Sequence, residues 1–232
     1  MQRILVTGAN RGLGLEFTRQ LLARGDRVLA ACRHPGKALA LTELAGAYPG
    51  HLHVLPLDLD KERSIAELAR EAGALTDALD GLINNAGLLV SGERYGEITG
   101  KALSDSFTSN VIGPLLLTQA LSPLLEKAKN AKVMNLSSRL GSLAISSSFG
   151  TPSYAISKAA LNMATRQLAA ALAPRGVCVF CVSPGWVSTD MGGASAPVTP
   201  HDAVACLLKV LDAATAADAG RFIAADGVTI AW

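Results

Sequence analysis

Short apolar runs alternate along this chain with longer stretches whose apolar residues recur at helical spacing. The runs predict strands over Arg3–Thr7, Arg27–Cys32, Leu52–Leu57, Gly81–Asn84, Lys132–Leu136, Val177–Val182 and Arg221–Ala224. Between them the pattern predicts helices over 13–24, 36–46, 61–75, 101–128, 153–173 and 201–214. Pro174 and Gly176 stop the fifth helix. Ser64-Ile65-Ala66-Glu67 has the form of a capping box that could also fall inside the third. Strands separated by helix-length segments imply right-handed crossovers, and continuous apolar strands imply a sheet covered on both faces. The expectation is an α/β protein: a doubly wound parallel sheet of about seven strands in a three-layer α/β/α arrangement. No linker or repeat divides the chain, so residues 1–232 are expected to form one domain.

Composition narrows the partners. Hydrophobic residues make up 50%, enough for a large core. A net charge of +2 and an aromatic content of 4% argue against nucleic acid and anionic membranes. No apolar stretch is long enough to span a bilayer, and the apolar part of the N-terminus is too short for a signal peptide. Together with four cysteines in no dense framework, this predicts a cytoplasmic protein. Cys178 and Cys181 form a C-x-x-C, but on a strand residues three apart point to opposite faces. His51 and His53 share a strand face without an evident third ligand, so no metal is expected.

The candidate chemistry begins after the first strand. Thr7-Gly8-Ala9-Asn10-Arg11-Gly12-Leu13-Gly14 opens the first helix with glycines that allow a tight turn and close approach of a pyrophosphate to free N–H groups. This makes the sheet Rossmann-type. At the end of the second strand a carboxylate would hold a ribose 2′-hydroxyl; here Cys32-Arg33-His34 supplies a cation instead. Arg33 and Arg11 together suit a 2′-phosphate, which points to NADP(H) rather than NAD. Tyr154 and Lys158, four residues apart, place a phenol and an ammonium on one helical face. A nearby cation is expected to lower the phenol from its usual value of about 10 and ready it for proton transfer.

With these motifs in their order, the chain resembles the short-chain dehydrogenase/reductase family over essentially its whole length. Gly8, Gly12 and Gly14 match its glycine pattern, and Asp58 in Leu57-Asp58-Leu59 matches its acid near the adenine. Asn84-Asn85-Ala86-Gly87 matches its N-N-A-G, Asn110 its helix asparagine, and Ser153 through Lys158 its S-Y-x-x-x-K. Pro184-Gly185, followed by Val187 and Thr189, matches its P-G segment after the sixth strand. The resemblance implies that the cofactor also meets Asn10, Leu13, Leu59, Asn85, Ala86, Gly87, Tyr154 and Lys158. Of Ser137 and Ser138, the family spacing to Gly141 selects Ser138 as catalytic, leaving Ser137 to pack inward. The compact segment after Pro184 is similar to the carbonyl reductases of the sniffer and C-factor group.

The family's chemistry implies reduction of a ketone or aldehyde, with Tyr154 donating the proton and Ser138 hydrogen-bonding the oxygen. Lys158 lowers the tyrosine and holds the ribose, and Asn110 holds a relay water. Two alternatives stay open: an alcohol or hydroxysteroid-type dehydrogenase working oxidatively, and an NADP-binding signalling protein of the C-factor type. Segments 88–94, 140–151 and 186–197 should line the substrate pocket; Leu88, Leu89, Leu143, Phe149 and Trp186 suggest an apolar carbonyl compound. The helices at 101–128 and 153–173 are candidate contacts for a homo-oligomer, a dimer or a tetramer.

Overall fold

Alternate residues of each strand enter opposite layers of the molecule. Ile4, Val6, Val28 and Ala30 pack with Phe17, Leu21, Leu41, Val204 and Leu207 on one side. Leu5, Leu29, Leu82 and Val133 pack with Leu68, Leu117, Leu121 and Leu172 on the other. Strands buried on both faces have no polar side to present, which is why they read as unbroken apolar runs. The computed structural model describes residues 1–232. Its strands are β1 (Arg3–Thr7), β2 (Arg27–Cys32), β3 (Leu52–Pro56), β4 (Gly81–Asn84), β5 (Lys132–Leu136), β6 (Cys178–Ser183) and β7 (Phe222–Ala224). They form one 7-stranded sheet in the order β3-β2-β1-β4-β5-β6-β7, with every pairing parallel. This is the Rossmann-type, doubly wound α/β fold expected.

The helices α1 (Gly12–Ala23), α2 (Leu39–Ala47) and α7 (Pro200–Ala213) cover the first face. The second is covered by α3 (Glu62–Leu75), α5 (Gly113–Leu125) and α6 (Pro152–Leu172). The winding reverses at β1 and β4, which opens a crevice beyond their carboxyl ends. Cys178 and Cys181 fall in different core clusters and both are free thiols.

One long helix was expected over 101–128; the chain instead forms α4 (Gly100–Phe107), a π-turn (Thr108–Ile112) and then α5. Apolar periodicity does not register one extra residue in a turn. The local cause is Gly113-Pro114. Gly113 donates its N–H to the Thr108 carbonyl, and Pro114 has no N–H to give the Asn110 carbonyl four residues back. A Cβ at Gly113 would lie 2.7 Å from Leu59 Cβ, so close packing there requires glycine. Ser64 lies inside α3 rather than capping it, and its hydroxyl accepts from the Asp58 N–H at 2.9 Å. No helix is long and apolar enough to cross a membrane.

Candidate active site

The crevice holds a cavity of about 700 Å³. Its floor is the turn between β1 and α1. Gly8 adopts φ +63°, and Gly14 sits so tightly beneath it that a Cβ would lie 2.1 Å from the Gly8 carbonyl oxygen. Thr7 and Asn85 lock the turn to β4: Thr7 Oγ1 accepts from the Asn85 and Ala86 N–H groups at 3.0 Å, and Asn85 Nδ2 donates to the Thr7 carbonyl at 2.8 Å. No side chain caps α1 at Arg11, so the orphan N–H groups of its first turn are available to an anion.

Gly8, Asn10, Arg11, Gly12, Leu13, Arg33, Asp58, Leu59, Asn85, Ala86, Gly87 and Thr189 all line this cavity. Gly14 lies under the floor rather than on it. Arg33 is exposed and pairs with no carboxylate. Arg11 reaches across to Asp190 at 3.1 Å. Asp58 accepts from Lys61 at 2.9 Å, and that hydrogen bond is the main reason its carboxyl is held below the usual range. A glycine cradle, an uncapped helix start and a free cation at the end of β2 fit a phosphorylated dinucleotide.

Pro184, Gly185 and Val187 stand outside the lining, as do Tyr154 and Lys158. Gly185 takes φ +84°, while Val187 is buried and bridged to Val198. No His, Cys, Asp and Glu side chains come together as a group of three or more that could hold a metal.

Gly87 joins the cavity to the proton-transfer groups. A Cβ there would lie 3.3 Å from Asn110 Oδ1 and 3.6 Å from Lys158 Nζ. Lys158 is buried, donates to the Leu136 carbonyl at 2.6 Å, and places its ammonium 5.4 Å from the centre of the Tyr154 ring. The two serines that end β5 diverge. Ser137 is 3% exposed and donates to Asn162 Oδ1 at 2.6 Å, whereas Ser138 is partly open and faces the phenol.

Charge behaves differently from the sequence expectation. Burial pushes the Tyr154 phenol up to about 12, with a hydrogen bond from Ser138 opposing the rise. Burial also pushes the Lys158 ammonium down to about 8. A cation beside a phenol lowers it in water, but here desolvation penalises both charged forms and sets the direction of both shifts. The phenol therefore keeps its proton at neutral pH.

Asn110 ties two segments of the site together. Its amide is committed to the backbone of Leu88, accepting from the N–H at 2.7 Å and donating to the carbonyl at 2.8 Å, and it donates to Ser157 Oγ at 2.9 Å. Both amide hydrogens are thereby used, while Oδ1 keeps one lone pair. Ser157 in turn donates to the Tyr154 carbonyl at 2.7 Å. Glu93 and Asn162 lie outside the sequence motifs, and Ser157 fills an open position of one. Ser157 and Asn162 share the helix of Tyr154, whereas Glu93 has no local signal.

The apolar segments around the mouth also meet. Tyr95 and Phe149 stand edge to face at 5.9 Å, joining the segment after β4 to the loop before α6. Leu143 is 80% exposed and Trp186 56%, the indole held by its N–H donating to the Gly192 carbonyl at 2.8 Å.

Residues 2–198 match the sequence model of a family described as short chain dehydrogenase. The chain is 38% identical to C-signal of Myxococcus xanthus over 157 residues, covering 68% of this chain and 95% of that one. It superimposes on the carbonyl reductase Sniffer of D. melanogaster with a TM-score of 0.96 at 32% identity, covering 100% of both chains. An NADPH-bound carbonyl reductase from chicken fatty liver gives a TM-score of 0.93 at 38% identity, covering 100% of this chain and 99% of that one.

Proposed function

Because the chain belongs to the short-chain dehydrogenase family, we propose that it reduces a ketone or aldehyde to an alcohol with NADPH. The observation that carries this reading is a buried phenol, protonated at neutral pH, beside a partly open serine hydroxyl and a buried lysine at the end of the dinucleotide-sized cleft. Bound in the cleft, the nicotinamide supplies the hydride. Tyr154 gives its proton to the carbonyl oxygen. Ser138 donates a hydrogen bond to the same oxygen as charge builds on it. Lys158, close to Gly87 and under the tyrosine ring, holds the ribose and provides the positive field. Arg33 and Arg11 take the 2′-phosphate, while Gly8 and the start of α1 take the pyrophosphate. The half-exposed Ile156 and Met163, one above the other on α6, support pairing of two copies through this helix.

Loss of NADPH absorbance with a panel of aldehydes, ketones and quinones tests the reading; no turnover across the panel while NADPH binds would favour a sensor instead. Arg33→Asp is expected to weaken NADPH by about tenfold or more and to favour NADH, since one charge-assisted contact is replaced by repulsion. An unchanged ratio of the two affinities, measured by fluorescence titration, would remove Arg33 from cofactor selection. Ser138→Ala should lower kcat by about a hundred- to a thousandfold, as loss of an oxyanion donor does. Ser137→Ala should act mainly on stability, because its hydroxyl serves Asn162. The reverse order in kinetics would exchange their roles.

A further inference from the structure

We propose that Glu93 is a positioning residue for Tyr154. The helix that carries Tyr154 starts poorly by itself. Thr151, its N-cap, has φ +42° and ψ +54°, a left-handed conformation unusual for a β-branched residue, and makes no side-chain cap. The cap comes from a residue sixty positions earlier. Glu93 Oε2 accepts from the Ser153 N–H at 3.2 Å and from the Ser153 hydroxyl at 2.8 Å. Ser153 is fully buried and directly precedes Tyr154. The other carboxylate oxygen, Oε1, is buried without a hydrogen-bond partner. A buried acceptor left unpaired is costly, so the contact with Ser153 is made against a local penalty.

The contact closes a circuit around the phenol. From Tyr154 the chain of bonds runs through its carbonyl to Ser157, then to Asn110, then to the backbone of Leu88. The segment from Leu88 leads to Glu93, which returns to Ser153. Leu88 and Leu89 line the cofactor cavity. The same segment therefore borders the cavity and anchors the first turn of α6. Without Glu93, the backbone at Tyr154 keeps its Ser157 contact but loses the anchor on the residue before it.

The kinetic arm of the test rests on the carbonyl-reductase reading. With NADPH and phenanthrenequinone as probe, Glu93→Ala is expected to lower kcat by about ten- to a hundredfold through misplacement of the donor, with smaller changes in KM and NADPH affinity than in kcat. Glu93→Gln, whose amide oxygen still accepts from Ser153, should recover most of that loss. The double variant with Ser153→Ala should be no slower than Glu93→Ala, because both remove one contact. Amide hydrogen exchange should accelerate over 152–158 in Glu93→Ala and stay unchanged in the β-sheet. Wild-type kcat in Glu93→Ala, or unaltered exchange over 152–158, would overturn the assignment. If the wild-type protein turns over no carbonyl compound, the functional reading fails while the exchange experiment still decides the role of Glu93.

Discussion

Tyr154→Phe is expected to leave a protein that folds and binds NADPH but reduces carbonyl compounds slower by about a hundred- to ten-thousandfold, the range a positioned general acid contributes. Phenylalanine keeps the ring and its burial; only the proton donor is lost. Single-turnover kinetics alongside NADPH titration would separate the two effects, and retained turnover would refute the donor role. The pH dependence sharpens the test. Reduction needs the phenol protonated, and burial pushes its value up to about 12, so titration of Tyr154 leaves the reductive rate flat through neutrality. Lys158 is pushed down to about 8, so its positive field weakens as pH rises through that value. The wild-type reductive rate should then decline on the alkaline side of about pH 8. A Lys158→Met variant, already slow, should lose that limb.

Gly14→Ala has the largest expected effect on the fold. Its Cβ would meet the Gly8 carbonyl oxygen at 2.1 Å and Asn85 Nδ2 at 2.5 Å, and the nearer of these is rigid backbone. The turn must move, which costs about 3 kcal/mol by analogy with overpacked cores and lowers Tm by roughly 10 °C in a chain of this size. NADPH binding should be lost as well, because the displaced turn is the phosphate floor. Gly12→Ala provides the contrast. Its Cβ would touch only Thr189, at 3.7 Å, so the cost is the left-handed backbone alone, about 1 kcal/mol. Equal melting temperatures for the two variants would contradict the packing argument.

Where a feature depends on residues near in sequence, the chain reveals it. The bounds of β1, β2, β4 and β5 follow from their apolar runs, because burial on both faces leaves little freedom in composition. The glycine turn and the Tyr154/Lys158 pair are likewise local. Features made by distant residues stay hidden. The Glu93–Ser153 contact joins a loop to a helix with no periodic signature. Beside the π-turn at Thr108–Ile112, Gly113 packs against Leu59, a contact invisible in a helical wheel. The raised phenol of Tyr154 follows from burial in the folded protein, and spacing alone suggested the opposite direction.

The π-turn has a further consequence through two adjacent residues. Ser109 donates to Asp60 at 2.7 Å, on the side of the cleft where Asp58 and Leu59 lie. Asn110 grips Leu88 and Ser157 on the side of the phenol. Neighbouring residues of a helix diverge by about a quarter turn, which is enough to send these two side chains to different parts of the site. The turn therefore works like the pivot of a calliper, with one jaw on Asp60 and the other on Leu88 and Ser157. Two walls of the cleft are thus braced from a single point of the chain.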